Sequence, residues 1–370
     1  MVEREEPIRI LQCVSNMDRA GIETMLMNFY RNIDRNKIQF DFLCNKSKPG
    51  DYDDEIKSLG GKIYVSPGLN PFKWFKYQRY MKNLFKEHPE YKIIHCQNEA
   101  MGFPALYAAK KCGVPVRIAH SHNTVTRLDF KWIIKIVYKY LLRTVATDYV
   151  ACSHAAGKYL FGKDVKVINN AIDSTKFIYN EEVRKKIRKE YNIENKFVIG
   201  HVGRFEPQKN HEFLIKLFYE YQKQDVDAIL LLIGTGSLEE HIKELVHTFN
   251  IQDKVIFTGS ISNVNEMYQA MDMFILPSFH EGLPVVGVEA QFADLPCIFS
   301  ENVTDEVKFT RDVYFLSLKD NIKIWCATLY RIKQKNKTRK NVINSKFNIN
   351  LAKNSLIDYY LKLIRGVTND

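Results

Sequence analysis

The sequence lacks three features that would assign it quickly to a class of protein. No window reaches the ~18 uncharged apolar residues that a membrane-spanning helix needs. The seven cysteines are scattered and form no C-x-x-C pair, so neither a disulfide framework nor a zinc site is indicated. The amino terminus, MVEREEPIRILQCVS, is charged and has no apolar core of signal-peptide length. We therefore expect a protein of the reducing cytoplasm, neither secreted nor integral to a membrane.

Acidic residues are the minority charge. The chain has 43 Asp and Glu against 54 Lys and Arg, which gives a formal net charge of +11. Such an excess indicates an anionic partner, either nucleic acid, a phosphate-rich substrate or an acidic membrane surface, and does not choose among them.

The length of 370 residues exceeds the usual size of one core, so two domains are expected.

Short apolar runs alternate with segments of helical periodicity in both halves of the chain. The predicted strands are 8–14, 38–44, 62–66, 91–96, 116–121 and 148–153, then 197–203, 228–234, 254–259, 273–278 and 295–300. This alternation predicts an α/β fold with two Rossmann-like, doubly wound parallel sheets. We expect an amino-terminal domain of residues 1–175 and a second domain of residues 176–345. A closing helix in 346–370 is expected to pack back toward the first domain.

Ligands of doubly wound sheets bind beyond the carboxyl ends of the strands. With two such domains, the expected site is the cleft between them. The glycine turn IGTGSLEE (233–240) also follows a predicted strand, but it is not G-x-G-x-x-G, which counts against a dinucleotide dehydrogenase. Ser237 and Glu240 are predicted to form a capping box there.

The segment PSFHEGLPVVGVEA (277–290) places two carboxylates around a helix start. Gly282 frees the backbone and Pro284 suits the first turn, whose N–H groups and dipole form an anion site. Glu281 lies beside that site and Glu289 about two turns into the helix. An anion between two hydroxyl-bearing groups describes a nucleotide sugar. The alternative is a surface loop with two solvated glutamates.

The segment HVGRFEPQKN (201–210) follows another predicted strand. Arg204 and Lys209 are five residues apart across a proline-containing loop, so both could converge on one phosphate pair. They could then neutralise charge on a departing diphosphate without a metal. The alternative is a solvated basic loop.

Two weaker motifs also stand at strand ends. In AGIE (20–23), Gly21 lets the backbone approach a phosphate, although many such glycines are plain turns. In AHSHN (119–123), a histidine could hydrogen-bond a sugar, although satisfied structural histidines are more common. The pair at i, i+2, without a neighbouring carboxylate or cysteine, is a poor metal site.

Two segments, 72–86 and 127–143, interleave aromatic and basic residues at helical spacing. Such helices suit an interface with anionic lipid, each surface charge contributing about 1 kcal/mol. The alternative is that the apolar face packs on its own sheet and the lysines are solvated, and the two interpretations are not exclusive. The basic residues are Lys73, Lys76, Arg79, Lys82 and Lys86 in the first segment, and Lys131, Lys135, Lys139 and Arg143 in the second.

Together, these motifs resemble the retaining glycosyltransferases of family four, which have the GT-B fold. The resemblance rests on the E-x7-E element from Glu281 to Glu289, the phosphate loop GRFEPQKN, the hinge INNAID (168–173) and the AGIE loop, and covers roughly residues 8–300. The hinge has Ala171 where the family usually has glycine, and the AGIE loop has alanine for one glycine of a pair. The segment after residue 305 matches poorly.

The resemblance implies a role for each matched residue. Arg204 and Lys209 would bind the donor diphosphate, Glu281 the hydroxyls of the transferred sugar, and Glu289 the ribose. His120 would face the sugar from the first domain, and no bound metal or cofactor is required. The catalytic set is His120, Arg204, Lys209 and Glu281, and the donor-binding set is Gly21, Asn170, Gly203, Arg204, Lys209, Gly259, Ile261, Glu281, Gly282, Leu283, Pro284, Val285 and Glu289, with the base near Gly259 to Ile261.

The activity so implied is retaining, metal-independent transfer of a hexose from a nucleoside-diphosphate sugar to a lipid-linked glycan. UDP is the first choice of nucleotide, with GDP left open, and the setting is cell-surface polysaccharide biosynthesis on the inner face of the cell membrane. Three alternatives remain at this stage. They are another GT-B enzyme such as a phosphorylase or epimerase, a non-catalytic nucleotide-sugar-binding protein, and a nucleic-acid-binding protein, the last indicated by charge alone.

Overall fold

The computed structural model describes residues 6–124, 132–335, 338–342 and 345–368. The strands are β1 (Ile8–Val14), β2 (Ile38–Cys44), β3 (Ile63–Val65), β4 (Ile93–Cys96), β5 (Val116–Ser121), β6 (Asp148–Ala151), β7 (Lys166–Val167), β8 (Phe197–Val202), β9 (Ala228–Ile233), β10 (Val255–Phe257), β11 (Met273–Leu276), β12 (Cys297–Ser300) and β13 (Val313–Leu316). The helices are α1 (Gly21–Asn32), α2 (Asp53–Ser58), α3 (Trp74–Glu87), α4 (Phe103–Lys111), α5 (Trp132–Val145), α6 (His154–Phe161), α7 (Glu181–Glu190), α8 (His211–Gln222), α9 (Glu239–Thr248), α10 (Val264–Ala270), α11 (Val285–Phe292), α12 (Ile322–Gln334) and α13 (Ile349–Thr368).

The chain divides into two compact units between Ile172 and Asp173. The first unit contains β1 to β7 in the order β3-β2-β1-β4-β5-β6-β7, all parallel. Alternate residues of β1 enter two separate apolar clusters, Ile10 in one and Leu11 in the other. Since successive side chains of a strand point to opposite faces, helices cover both faces of the sheet.

The segment from Lys346 onward belongs to the first unit, although it comes from the end of the chain. Its helix, α13, buries Leu356 and Tyr360 in the apolar cluster that α1 also lines. Two backbone hydrogen bonds join this segment to Ile172. The Ile172 N–H donates to the Phe347 carbonyl at 2.9 Å, and the Ile349 N–H donates to the Ile172 carbonyl at 2.8 Å. The first unit is therefore closed by residues distant in sequence.

The second unit contains the other six strands in the order β10-β9-β8-β11-β12-β13, again all parallel. Its core combines Leu230 and Leu232 of β9 with Leu214 and Phe218 of α8 and with Trp325 of α12. In each sheet the strand order reverses beside the first strand of the unit, β1 or β8. Ligands of open α/β sheets bind at such a reversal, beyond the carboxyl ends of the strands.

The predicted doubly wound architecture is confirmed, and each predicted strand corresponds to an observed one. The strands β7 and β13 were not predicted, because β7 has two residues and β13 lies in the poorly patterned stretch after residue 305.

The predicted capping box is wrong. Helix α9 begins at Glu239, its N-cap is Leu238, and no side chain caps it. The turn is fixed by a backbone contact instead. A Cβ added to Gly236 would lie 2.5 Å from the Phe205 carbonyl oxygen, and that oxygen accepts a hydrogen bond from Leu238 N–H at 2.9 Å. The close approach of the Phe205 backbone therefore explains why residue 236 is glycine.

Candidate active site

Two loops at the carboxyl edge of the second sheet are joined by hydrogen bonds. One follows β8 and the other follows β11, and these strands are neighbours, so the two loops start side by side. Gln208 Nε2 donates to the His280 carbonyl at 2.9 Å, and Asn210 Nδ2 donates to the Pro277 carbonyl at 3.2 Å. The predicted basic loop and the predicted glutamate loop therefore form one structural feature.

An ion pair connects these loops. Lys209 Nζ lies 2.6 Å from Glu281 Oε1, with the two side chains 17% and 10% exposed. The structure thus brings together a cation and a carboxylate that are 72 residues apart in the sequence. The resemblance had predicted that they bind different parts of a ligand. A partly buried pair of this kind is stronger than a surface pair, because water screens it less.

Arg204 lies on the same loop as Lys209 and is exposed. Its guanidinium makes no hydrogen bond or ion pair with any residue that the structure describes, so its charge is not used within this part of the fold. The intervening Gly203 makes room for the lysine. A Cβ added to Gly203 would lie 3.2 Å from two side-chain carbons of Lys209 and 3.0 Å from His201 Nε2. Any larger residue at 203 would press against the lysine stem.

Helix α11 begins directly after the glutamate loop. It starts at Val285, and Pro284 precedes it as the N-cap residue, one position earlier than the predicted first turn. The Pro284 carbonyl accepts from the N–H groups of Gly287 and Val288. The backbone from Glu281 to Val285, which includes Gly282 and Leu283, is buried. The partial positive charge of the helix amino terminus therefore adjoins the ion pair and favours an anion there.

Glu289 lies about one turn into α11 and accepts a hydrogen bond from the Tyr268 hydroxyl at 2.9 Å. Burial raises the pKa of Glu289 to about 7, and the Tyr268 hydrogen bond only partly offsets this. The carboxyl group is therefore close to half protonated at neutral pH. Tyr268 comes from α10, and nothing in the sequence indicates that this tyrosine meets Glu289.

The loops after β9 and β10 also lie at this edge. Gly259 follows β10 in a left-handed conformation (φ 67°), and its carbonyl accepts from Gly234 N–H at 3.0 Å. Ile261 is half-buried in the loop before α10. Both residues therefore lie in loops at the same edge of the sheet as the Lys209–Glu281 pair, and their place near the base of a nucleotide stays a prediction.

The predicted residues of the first unit lie in different surroundings. Gly21 is the first residue of α1, and a Cβ added there would have no described atom within 4 Å. Asn170 is buried just before the end of the unit. The neighbouring Ala171 does not have a positive φ, so the glycine usual at this hinge position is not required, and its carbonyl accepts from Asn28 Nδ2 at 3.3 Å.

His120 is buried inside β5. Its Nδ1 lies 3.1 Å from His95 Nε2, and His95 Nδ1 lies 2.7 Å from the Tyr360 hydroxyl. His122, directly after the strand, lies nearer the carboxyl edge, and its Nε2 is 2.8 Å from Gln97 Oε1. Burial lowers the pKa of all three histidines, that of His95 and of His122 to about 3. They are therefore neutral at physiological pH.

A cavity of about 440 Å³ opens at the carboxyl edge of the first sheet. Its charged lining residues are Glu23, Lys46, Glu99 and Lys135. Of these, Lys135 lies in a predicted aromatic-basic segment and Glu23 in the AGIE loop, whereas Lys46 and Glu99 belong to no predicted motif. Hydrophobic periodicity locates strands but does not show which loop residues surround one space, so the sequence did not indicate this cavity.

Neither unit contains, among its described residues, a group of three or more His, Cys, Asp or Glu side chains placed to hold a metal ion. No helix in the described ranges has both the length and the apolar character needed to cross a membrane.

Comparison with known proteins identifies the family. Residues 19–176 match the model described as Glycosyltransferase Family 4, and residues 183–345 match the model described as Glycosyl transferases group 1. EpsF of Bacillus subtilis, named as a glycosyltransferase, is 37% identical over 335 residues that cover 87% of each chain. The chain belongs to the family 4 glycosyltransferases. The resemblance inferred from the sequence motifs is thereby confirmed.

Other relatives of this glycosyltransferase are more distant. An Escherichia coli enzyme named UDP-Gal:alpha-D-GlcNAc-diphosphoundecaprenol alpha-1,3-galactosyltransferase is 25% identical, and the match covers 93% of this chain and 94% of that one. The structure of HepE from Anabaena in complex with UDP-glucose superposes with a TM-score of 0.76 at 16% identity, covering 98% and 100% of the two chains. At that identity the likeness concerns the fold, and it confirms the predicted GT-B architecture.

Proposed function

We propose that this glycosyltransferase transfers a hexose from a UDP-sugar to a glycan acceptor, with retention of anomeric configuration and without a bound metal ion. The observation that supports it best is the Lys209–Glu281 pair beside the amino terminus of α11. This arrangement provides a cation and helix N–H groups for a diphosphate, and a carboxylate for sugar hydroxyls, within one pair of adjoining loops. A donor that carries both groups fits this combination of charges.

The proposed reaction needs charge stabilisation rather than an enzyme nucleophile. The bond between C1 of the hexose and the diphosphate oxygen breaks, and the acceptor oxygen bonds to C1 on the same face. The proton of the acceptor hydroxyl passes to the departing diphosphate. Lys209, Arg204 and the amino terminus of α11 stabilise the negative charge that develops on that diphosphate.

Glu281 and Glu289 would bind the two sugars of the donor. Glu281 accepts hydrogen bonds from hydroxyls of the transferred hexose, and Lys209 fixes the position of its carboxylate. Glu289 accepts from the ribose hydroxyls, and the Tyr268 hydroxyl holds its carboxylate in place. Because Glu281 lies in the loop and Glu289 in the helix that follows, the two carboxylates could meet different parts of one extended ligand.

We further propose that the enzyme works in cell-surface polysaccharide biosynthesis on an anionic membrane, with a lipid-linked acceptor. The names of two relatives support this setting, the E. coli galactosyltransferase and CapH of Staphylococcus aureus, a capsular polysaccharide biosynthesis glycosyltransferase 22% identical over 96% of this chain. The surface of the first unit supports it as well. Phe72, in the turn just before α3, is 99% exposed, Phe75 of α3 is 87% exposed, and Ile133 of α5 is 67% exposed.

The inner side of the same helices packs on the sheet, as the alternative interpretation expected. Tyr77, Met81 and Leu84 of α3 are buried in an apolar cluster of the first unit. The exposed aromatic residues are therefore not needed for the core, which a separate set of residues on the same helix fills. Lysines on these helices add positive charge beside exposed apolar side chains, which is the composition of an interfacial helix.

The test is a transfer assay over a panel of UDP- and GDP-sugars, with and without EDTA, with the anomeric configuration of the product read by NMR. We expect an α-linked product from an α-linked donor, at a rate that EDTA does not change. Loss of activity with the chelator contradicts the metal-free proposal, and a β-linked product contradicts retention. A need for free phosphate would indicate a phosphorylase. Donor binding without turnover on any acceptor would indicate a non-catalytic protein.

A further inference from the structure

One arginine side chain joins the carboxyl ends of α10 and α11 in the second unit. Arg339 lies in the described stretch 338–342, distant in sequence from both helices. Its Nη2 donates to the Tyr268 carbonyl at 3.1 Å and its Nη1 to the Gln269 carbonyl at 2.9 Å, both in the last turn of α10. Its Nε donates at 2.8 Å to the carbonyl of Ala293, the C-cap residue of α11. The two helices are therefore connected through a single guanidinium.

An arginine suits this position because helix ends have carbonyls to satisfy. The last four carbonyls of a helix have no partner within it, and the end has a partial negative charge. A guanidinium offers five N–H donors in one planar fork. Arg339 makes two further hydrogen bonds, from Nη1 to the Met271 carbonyl at 3.4 Å and from Nη2 to the Ala293 carbonyl at 2.5 Å. All of these bonds end on backbone carbonyls, so the arginine fixes the backbones of the two helices.

The guanidinium is buried and charged. Burial lowers the pKa of Arg339 to about 10, which leaves the group protonated at neutral pH. Its Cζ lies 4.3 Å from the centre of the Tyr179 ring, and the N–H of the next residue, Lys340, donates to the Asp294 carboxylate at 2.6 Å. A buried charge is costly unless it is compensated, and here the two helix ends and the charges of Asp272 and Asp294 compensate it. Movement of one helix relative to the other would remove part of that compensation.

The helices that Arg339 joins contain the two residues of the Tyr268–Glu289 contact. Arg339 binds the backbone of Tyr268 directly, and the hydroxyl of that tyrosine donates to Glu289 Oε2 at 2.9 Å. The N–H of Ala293 donates to the Glu289 carbonyl at 3.0 Å, and Arg339 binds the carbonyl of the same alanine. Hydrogen bonds tolerate only a narrow range of distance and angle. The separation of the two helices therefore decides whether Tyr268 can hold the Glu289 carboxylate.

Two other arginines bind the same end of α10. Arg184 and Arg188 of α7 each donate from Nη1 to a carbonyl there, at 2.9 and 2.8 Å, and both pair with Asp272. None of their hydrogen bonds in the described part of the chain ends on α11. These two arginines attach α10 to α7, whereas Arg339 attaches it to α11.

We infer that Arg339 is a positioning residue of the donor site, which holds α10 and α11 at the separation at which Tyr268 orients the Glu289 carboxylate. Arg339 acts through these two residues and is not a catalytic residue. The inference rests on the proposed function, because that function assigns Glu289 to the ribose hydroxyls of the donor. It adds a residue on which recognition of the ribose depends.

The test compares two probes by calorimetric titration of the full-length protein: UDP and 2′,3′-dideoxy-UDP, which lacks both ribose hydroxyls. In the wild type, UDP should bind at least about tenfold more tightly, the usual effect of a hydrogen bond to a charged group. Arg339→Met keeps a similar apolar stem and removes every donor. It should reduce the preference for UDP to about twofold or less, since Glu289 is then no longer held for the ribose. Its affinity for the dideoxy probe should equal that of the wild type.

A second variant and a folding measurement keep the test decisive. Arg339→Lys retains the charge, but an ammonium is a point donor that cannot bind both helix ends as the planar fork does. Its preference for UDP should therefore lie between those of the wild type and Arg339→Met. Circular dichroism at the temperature of the titration establishes that each variant is folded. If Arg339→Met does not fold, a wild-type preference in Arg339→Lys contradicts the inference and a reduced preference supports it.

The chain offers a matched control in the first unit. The Arg117 guanidinium also donates to backbone carbonyls, from Nε to Val145 at the end of α5 and from Nη1 to Val114, both at 2.6 Å. Arg117→Met removes comparable hydrogen bonds from a unit that does not contain Glu289. It should lower the thermal midpoint and keep the wild-type preference for UDP.

The outcomes separate the inference from the function on which it rests. A wild-type preference in folded Arg339→Met, or an equal loss of affinity for both probes, overturns the inference and leaves the proposed function intact. Glu289→Gln tests the ribose assignment alone and should reduce the preference for UDP. Equal binding of the two probes by the wild type, or an undiminished preference in Glu289→Gln, contradicts that part of the proposed function and the inference with it.

Discussion

Lys209 Nζ lies 2.6 Å from Glu281 Oε1, and this contact joins the loops that follow two neighbouring strands, β8 and β11. Each group neutralises the charge of the other. A diphosphate would compete with Glu281 for Lys209, and sugar hydroxyls would take up acceptor positions on Glu281. The pair therefore holds two side chains that we propose bind the donor, without leaving either charge uncompensated in a partly buried site.

The first prediction concerns this pair. Lys209→Ala and Glu281→Ala should each lower kcat/KM for transfer by about 100-fold or more, the usual effect of removing a group that stabilises developing charge. The measurement is steady-state transfer from the UDP-sugar selected by the donor panel. Wild-type turnover in either variant would remove that residue from the mechanism.

A double variant separates activity from folding in the same experiment. Removing one partner deprives the other, partly buried charge of this ion pair, which destabilises the fold. Lys209→Met combined with Glu281→Gln removes both charges, so we expect its thermal midpoint to exceed that of either single variant. Its activity should remain as low as theirs. Recovery of activity together with stability would show that the single variants fail only because they unfold.

The second prediction is a pH dependence of donor binding. Since burial raises the pKa of Glu289 to about 7, its carboxylate population falls as the pH drops below 7. Ribose hydroxyls donate to a carboxylate more strongly than to a neutral acid, so the affinity for UDP should fall across pH 7 to 5. Calorimetric titration measures this, and Glu289→Gln should remove the part of the pH dependence due to this group. An unchanged pH profile in Glu289→Gln would contradict the assignment.

The same group affects stability, with a definite sign. The pKa of Glu289 is raised in the folded protein above the ordinary value of 4.5, so the folded state binds more protons between pH 4.5 and 7. Its contribution to the free energy of unfolding is fully present below pH 4.5 and is lost as the pH rises through 7. Denaturant unfolding without ligand should show this loss in the wild type, and Glu289→Gln should lack it. The opposite slope would mean that the pKa of Glu289 is lowered.

Much of the fold could be predicted because buried parallel strands are apolar on both faces. Strands such as Ile8–Val14 and Ile38–Cys44 are mostly apolar, although each contains two polar or charged residues, and the structure reproduces their predicted limits. The E-x7-E element was equally readable, since loop and helix spacing place both carboxylates. Where a contact between two backbone segments sets a turn, the side-chain composition can give the wrong prediction. The residues around Ser237 have the composition of a capping box, but the turn is set by contact with the Phe205 backbone.

The remaining parts of the site depend on contacts between distant segments. Tyr268 meets Glu289 because α10 and α11 pack together, and no spacing along the chain records this. Glu99 follows a strand like many other polar residues, and its left-handed backbone becomes visible only in three dimensions. His120 and His122 belong to one short motif and are both buried, but β5 ends at Ser121, so only His120 lies within the strand.

The third prediction concerns the closing helix. The Tyr360 hydroxyl lies 2.7 Å from His95 Nδ1 and accepts from Gln12 Nε2 at 3.1 Å, in a buried network of the first unit. Tyr360→Phe should lower the free energy of unfolding by about 1–3 kcal/mol, the cost of leaving buried polar partners unsatisfied. Denaturant titration measures the loss. The control is Tyr359→Phe, because the Tyr359 hydroxyl makes no hydrogen bond within the described residues, and its stability should match the wild type. Equal stability of the two variants would show that the network contributes nothing.

The last prediction tests the proposed membrane face. Phe72 and Phe75 are more exposed than any other large apolar side chain that the structure describes, and Lys73 and Lys76 adjoin them. Changing both phenylalanines to serine should weaken binding to vesicles that contain phosphatidylglycerol by about tenfold or more, since burying each side chain in lipid contributes roughly 1.5–3 kcal/mol. Added salt should weaken wild-type binding further by screening the lysines.

Vesicle co-sedimentation measures this binding, and the chain offers a matched control. Val226 of the second unit is 67% exposed, so Val226→Ser removes a similarly exposed apolar side chain elsewhere. It should bind vesicles as the wild type does. Transfer to a water-soluble acceptor should be unaffected in the double serine variant, because Phe72 and Phe75 lie outside the candidate active site. Unchanged vesicle binding by that variant, or equal binding to neutral phosphatidylcholine vesicles, would contradict an anionic membrane as the partner of this surface.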